Sequence, residues 1–265
     1  MKHNCSILPH ISVCICTYKR PQMLSFLLDK IQNQDTENTF TYSVVVVDND
    51  FNKSAKDTVT NWQGKSAIQI DYFCESRQNI AYARNKAVNN AKGDFITFID
   101  DDEFPERSWL INLLKTQKIN NADGVLGPVK PYFEVDPPHW IIKSKICERP
   151  SYPTGTVFKN SLKTRTGNVL FQKELFTDQR EPFNPKFGLT GGEDVDFFSR
   201  MIKKGSIFVW CDEACVYEVV ERDRFEKKFY IKRALLSGAV NASKSSFLSI
   251  GTLKSLIAFV VYTSA

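Results

Sequence analysis

Four consecutive acidic residues, Asp100-Asp101-Asp102-Glu103, stand directly behind the apolar run Phe95-Ile96-Thr97-Phe98-Ile99. Carboxylates this close repel one another and raise each other's pKa unless positive charge lies among them. The cluster is either a solvated acidic turn or the holder of a cation, and its place behind a buried strand favours the cation. In an extended segment alternate residues share a side, which turns Asp100 and Asp102 toward one ligand and Asp101 away. Two hard carboxylates plus the oxygens of a diphosphate suit Mg2+ or Mn2+.

A second constellation is Gly191-Gly192-Glu193-Asp194, ahead of an expected helix. Acids there complement the helix dipole with no further role. Two glycines in front of them, however, let a backbone approach a bulky ligand, and a carboxylate so placed can act as general base on a hydroxyl. The third is the stretch 77–85, RQNIAYARN, in which Arg84 can pair with phosphate or be an ordinary surface charge.

These residues need a scaffold. Residues 11–16 read as a buried strand, and Pro21 opens a helix where its missing N–H costs nothing. Leu24, Leu27, Leu28 and Ile31 form that helix's apolar stripe. The four valines at 44–47 make a strand apolar on both faces, as parallel strands covered by helices require. Helices over 55–62, 81–91 and from Ser108 to about 118 alternate with strands over 68–73, 95–99 and 124–129. This alternation predicts an α/β fold with a mostly parallel sheet and helices on both faces. Ligands in such sheets bind beyond the carboxyl ends of the strands, where Thr17, Asp48 and Asp100 to Asp102 fall. The proline-rich stretch 131–165 reads as long loops. A strand over 167–171, a helix over 195–204 stopped by Gly205, and strands over 207–210 and 215–219 follow.

The 265 residues are 42% hydrophobic and 25% charged, an ordinary globular balance. A net charge of +5 without a dense Lys/Arg run argues against nucleic acid as a partner. Seven cysteines form no disulfide framework: Cys14 and Cys16 share one face of a strand as core thiols, and Cys211 and Cys215 lack a CxxC spacing. His3, His10 and His139 make no metal-ligand pattern. A reducing cytoplasm is expected, and the N-terminus lacks the long apolar region of a secretory signal peptide.

Together, ISVCICTYKRP, VVVVDND, RQNIAYARN, FIDDDEFP and GGEDVDFF follow the motif order and spacing of family 2 glycosyltransferases. From about residue 11 to 233 the chain resembles that family, and within it the bacterial succinoglycan glucosyltransferases, which extend lipid-linked polysaccharide repeats. The resemblance implies a GT-A fold and a metal-dependent, inverting transfer from a nucleotide sugar, with UDP the expected nucleotide. It implies that Thr17 and Tyr18 line the nucleotide pocket, that Asp48 meets the base or ribose, and that Arg84 meets the base or diphosphate. Asn79 and Asp101 join that binding set. Asp100 and Asp102 correspond to the DxD motif, with Asp102 the direct Mn2+ or Mg2+ ligand. Asp194 of the ED pair is the catalytic base, with Gly191, Gly192 and Glu193 on the acceptor side.

Two departures stand out. Asn49-Asp50-Phe51 follows Asp48 where many relatives read aspartate-glycine-serine, and Glu218 stands where some relatives carry a histidine near the metal. A sugar nucleotidyltransferase, the rival enzyme, calls for a glycine-rich loop after the first strand, and residues 17–20 contain no glycine. A non-catalytic nucleotide- or carbohydrate-binding module is signalled by loss of the DxD or ED carboxylates, and both are intact.

The expected organisation is a GT-A domain over 1–220, divided near 131 into nucleotide-binding and acceptor-side halves, then a helical segment over 221–265. In that segment Phe225, Phe229 and Leu236 share one side with Lys232 at its edge, and Lys227, Lys228 and Arg233 lie nearby. The apolar run 255–262 is shorter than the roughly 20 residues that span a bilayer. It suits either the membrane interface or a closing helix packed on the protein. With a lipid-linked acceptor, the expectation is a cytoplasmic enzyme held peripherally at the inner face of the membrane. The apolar end also suggests that the natural protein continues beyond Ala265.

Overall fold

The computed structural model describes residues 8–177, 179–189 and 191–244, with side chains followed as far as Leu235. The chain divides into two compact units, residues 1–130 with 149–218 and residues 131–148 with 219–265. The chain order begins β1 (His10–Thr17), α1 (Pro21–Ile31), β2 (Thr41–Asp48), α2 (Lys56–Gln63), β3 (Ile70–Cys74) and α3 (Ile80–Asn90). Next come β4 (Phe95–Ile99), β5 (Glu103–Pro105), α4 (Trp109–Asn120), β6 (Gly124–Leu126), β7 (Val129–Tyr132) and α5 (His139–Ser144). The last elements are β8 (Asn168–Gln172), α6 (Glu193–Lys203), β9 (Phe208–Trp210), β10 (Val216–Val219) and α7 (Lys227–Lys244).

The main sheet runs β3-β2-β1-β4-β8-β6-β9. β1 is parallel to β2 along its length, with Thr17 opposite Asp48, and parallel to β4 on its other side. β8 runs antiparallel between β4 and β6. Val44 and Val46 enter one core and Val45 and Val47 the other, so both faces are covered. α1 starts with Pro21 in its first turn and buries Leu24, Leu27, Leu28 and Ile31, each burial stabilising by roughly 1.5–3 kcal/mol. On the opposite face the Phe171 ring lies 5.5 Å from those of Phe176, Phe197 and Phe198. That aromatic cluster anchors the first turns of α6, where Glu193 and Asp194 sit.

The expected strand over 124–129 is interrupted at Gly127 and Pro128, so that β6 and β7 join different sheets. Pro128 has no N–H to give a ladder, and a Cβ at Gly127 would lie 2.4 Å from the Ala214 carbonyl oxygen. The stretch 131–165 is not all loop, since it contains α5 and a 3-10 turn over Ser161–Lys163. A short antiparallel pairing of β5 with β10, which no apolar run announces, sets Glu103 opposite Glu218.

In the second unit the Phe133 and Phe225 rings lie 6.0 Å apart and the Trp140 and Tyr230 rings 5.8 Å apart. Phe225 precedes α7, and its ring faces protein. No helix among the described residues is long and apolar enough to cross a membrane. The Leu236 side chain and the apolar run 255–262 lie outside the described residues.

Candidate active site

Beyond the carboxyl ends of β1, β2 and β4 opens a cleft of about 540 Å³, within the ~300–1,000 Å³ range of small-ligand sites. Its wall brings together Thr17, Tyr18, Arg20, Asn49, Asn79, Arg84 and Asp100 to Asp102, with Gly188 and Leu189 beside Asn79. Five stretches separated by up to about 170 residues thus meet in one place, the first four of them because parallel strands align their C-terminal ends.

The acidic run does not continue as a strand; it turns at Asp101 and Asp102. The expected alternation, with Asp101 facing away from its neighbours, is replaced by a different grouping. Thr17 Oγ1 donates to Asp101 Oδ2 at 2.7 Å, and Arg20 Nη1 bridges Asp101 Oδ1 at 3.0 Å and Asp102 Oδ2 at 2.9 Å. Asp100 stands apart, its side chain 47% exposed and 3.7 Å from Arg84 Nη2. The desolvating walls of the cleft push its carboxyl above the ordinary range while Arg84 pulls it down.

Asp48, expected at the base or ribose, is fully buried. Its carboxylate accepts from the backbone N–H of Asp50 at 3.0 Å and of Ala55 at 2.8 Å, and from Tyr72 Oη at 3.1 Å. It therefore braces the loop after β2, and the residue that loop offers to the cleft is Asn49. Asn49 Nδ2 donates to the carbonyls of Glu75 and Arg77, and its Oδ1 accepts from Asn79 N.

Asn79 caps α3, its Oδ1 accepting from Ala81 N at 2.9 Å, and its Nδ2 donates to the Pro185 carbonyl. Its amide is consumed by these bonds, so it shapes the wall. A Cβ at Gly188 would lie 1.7 Å from Asn79 Oδ1. Gly188→Ala is therefore expected to break the cap, cost about 0.5–2 kcal/mol of stability and raise the donor KM more than it lowers kcat. Urea titration and initial rates check this, and an unchanged KM would show that the cap does not govern donor binding.

Arg84 is buried and ion-paired with buried Glu193 across 109 residues of sequence, which ties α3 to the start of α6. Burial raises the Glu193 carboxyl and Arg84 opposes the rise. Gly191 and Gly192 both adopt positive φ, +78° and +99°, which any Cβ would strain. They swing the chain into α6 so that Glu193 turns inward, while Asp194 remains half-buried with Oδ1 accepting from Val195 N at 2.7 Å. Asp194 is not among the residues walling the cleft. Arg84→Met is expected to cost about 3–5 kcal/mol, because it strands a buried carboxylate, whereas Arg84→Met with Glu193→Leu recovers most of that loss. Equal stabilities of the single and double variants in urea would remove the pair from this role.

Three further residues meet here: Glu103 and Glu218, which the sequence shows without a role, and Arg149, which it does not mark at all. Glu103 is buried, its Oε2 accepting from Asp100 N at 3.1 Å and its Oε1 lacking any hydrogen-bond donor. Arg149 Nη1 lies 3.8 Å from that oxygen, and the same guanidinium pairs with Glu218. Burial and the Asp100 charge hold the Glu103 carboxyl well above its usual range. A Cβ at Gly167 would lie 2.9 Å from Glu103 Oε1 and 3.1 Å from Asp100 Oδ2, so both carboxylates point at one small space. Glu103 was visible as the end of the acidic run, but Arg149 sits in the proline-rich stretch with no local pattern to mark it.

Carboxylates outnumber cations around this end of the cleft, and two buried carboxylate oxygens, Glu103 Oε1 and Glu193 Oε2, have no hydrogen-bond donor. That donor set fits a hard divalent cation. No three His, Cys, Asp or Glu side chains among the described residues close on a single ion; a cation held here would draw the rest of its shell from other oxygens, such as phosphate and water, as is common for Mg2+.

A family profile described as Glycosyl transferase family 2 matches residues 12–177. The succinoglycan biosynthesis protein ExoM of Rhizobium meliloti (strain 1021) is 32% identical over 233 residues, covering 86% of this chain and 73% of that protein. The hyaluronan synthase of Pasteurella multocida is 25% identical over 238 residues, 78% of this chain and 24% of the synthase. Among solved structures, the mannosyltransferase PcManGT from Pyrobaculum calidifontis in complex with GDP-Man and Mn2+ gives a TM-score of 0.65 at 18% identity. That match covers 98% of this chain and 74% of PcManGT. S. aureus TarS 1-349 in complex with UDP-GlcNAc gives 0.61 at 17%, over 96% of this chain and 71% of TarS. At these identities the structural likeness speaks to the fold alone.

Proposed function

This chain belongs to glycosyl transferase family 2 and has the GT-A fold, and we propose that it moves a sugar from a UDP-linked donor to a lipid-carried saccharide in bacterial surface polysaccharide synthesis. The observation that carries this reading is the single cleft on which residues 17–20, 49, 78–84 and 100–102 converge. Thr17, Tyr18, Asn49 and Asn79 wall the nucleoside, and Asp100 and Asp102 would hold Mg2+ or Mn2+. When bound, that ion supplies positive charge against the charge developing on the leaving diphosphate. Asp194 takes the proton of the acceptor hydroxyl while the new bond forms at the anomeric carbon and the diphosphate departs. The single displacement inverts that carbon and leaves no covalent sugar–enzyme intermediate. The commitment of Glu193 to Arg84 supports Asp194 as the member of the ED pair that is left to act as base.

A thermal-shift screen of UDP-, GDP-, ADP- and dTDP-sugars with Mn2+ tests the reading. A UDP-sugar is expected to raise Tm, since a ligand that binds only the folded state stabilises it by mass action. A shift with none of them would overturn the function. We further place the enzyme peripherally at the cytoplasmic face of the membrane, supported by Lys227, Lys228, Lys232 and Arg233 on α7. Anionic liposomes are expected to float this chain and to leave behind a variant with Lys227, Lys228, Lys232 and Arg233 all changed to Gln. Equal recovery of both in the unbound fraction at low salt would remove the membrane role.

A further inference from the structure

Arg20 ends the loop after β1 and directly precedes Pro21, the first residue of α1. Lys19 before it adopts φ +56°, a left-handed backbone that costs a residue with a Cβ and that clusters at functional sites. Past that turn the Arg20 guanidinium lies over the acidic run, with Nη1 3.0 Å from Asp101 Oδ1 and 2.9 Å from Asp102 Oδ2. The two carboxylate side chains are nearly closed to solvent, at 7% and 12% exposure, while that of Arg20 keeps 41%. A long, part-exposed cation thus covers two buried anions in the wall of the donor cleft.

Asp102 is also the carboxylate assigned above to the divalent ion, and the two claims on it conflict. An ion on Asp102 Oδ2 stands beside a guanidinium bonded to the same oxygen, and like charges that close repel strongly. The ion therefore takes Asp102 only as Arg20 lets go. Asp101 tolerates the loss, because the Thr17 hydroxyl donates to its other oxygen at 2.7 Å. The displaced guanidinium needs another anion, and the cleft it lines is the one assigned to a diphosphate, whose oxygens match the arginine fork.

We propose that Arg20 exchanges partners in the donor cleft: it holds Asp102 against the metal while no nucleotide is bound, and it moves to the diphosphate as the ion takes Asp102. The proposal deepens the transferase reading and rests on it. Each ligand relieves the cost that Arg20 sets on the other, so metal and nucleotide strengthen one another by the same factor.

The test compares the full chain with Arg20→Gln in three titrations: Mn2+ alone by electron paramagnetic resonance, and UDP and uridine without metal by calorimetry. Arg20→Gln is expected to bind Mn2+ about tenfold more tightly and UDP about tenfold more weakly, each the size of one charge-assisted hydrogen bond. Uridine binding is expected to stay unchanged, whereas a residue that only braces the loop would weaken all three ligands alike. Unchanged or weaker Mn2+ binding, or equal losses for UDP and uridine, overturns the proposal. If circular dichroism shows that Arg20→Gln does not fold, Arg20→Lys, which keeps the charge but not the fork, is read in its place with the same directions expected. Failure of the unmodified chain to bind UDP even with Mn2+ counts against the transferase reading instead. The Mn2+ titration, which contains no nucleotide, still decides the proposal in that case.

Discussion

Asp194→Asn is expected to bind donor as the unmodified chain does and to transfer sugar about 10²–10⁴-fold more slowly, the usual contribution of a general base. The substitution keeps the shape of the side chain and its bond to Val195 N while removing the basic oxygen. Isothermal titration of UDP with Mn2+ and rates at saturating acceptor separate binding from chemistry. Glu193→Gln provides the contrast: it disturbs the buried pair with Arg84, so its losses should appear in stability as well as in rate. A near-normal kcat for Asp194→Asn would move the base elsewhere, with Glu193 the first candidate.

Removal of divalent metal with EDTA is expected to reduce turnover to background, and added Mn2+ to restore it. Charge stabilisation of this kind is worth several kcal/mol of barrier, on the order of 10³-fold in rate or more. The ion pair between Arg20 and Asp102 makes a sharper test possible. Asp100→Asn and Asp102→Asn should each weaken Mn2+ binding in the presence of UDP, read by electron paramagnetic resonance, with the fold retained by circular dichroism. If only Asp100→Asn does so, Asp102 serves Arg20 and not the ion. Full turnover after rigorous metal removal would sink the metal assignment altogether.

Much of the scaffold was legible because local physics wrote it. The 3.6-residue spacing of Leu24, Leu27, Leu28 and Ile31 is the buried face of α1, and the unbroken valines of β2 demanded cover on both sides. The position of the acidic run at a strand end was equally readable. The direction of its side chains was not, because alternation assumes an extended chain and the backbone turns at Asp101. Asp48 shows the same limit: its type and place suggested a ligand contact, yet three donors from its own neighbourhood claim it. Arg149, Glu103 and Glu218 meet only through the pairing of β5 with β10 and the return of the chain at 149. Contacts at such sequence separations leave no periodicity to read.

The antiparallel β8 between β4 and β6 has a consequence for how the protein is made. While the chain is being synthesised, β1 to β4 can assemble as soon as Ile99 has emerged, but the strand that covers the open side of β4 begins only at Asn168. At about 5–20 residues per second the intervening residues take roughly 3–14 s to appear. Throughout that interval β4, with the sequence FITFI, presents an unpaired edge, a template for pairing with other nascent chains. Aggregation during expression should therefore peak in chains stalled or truncated between residues 100 and 167 and fall once β8 can slot into place.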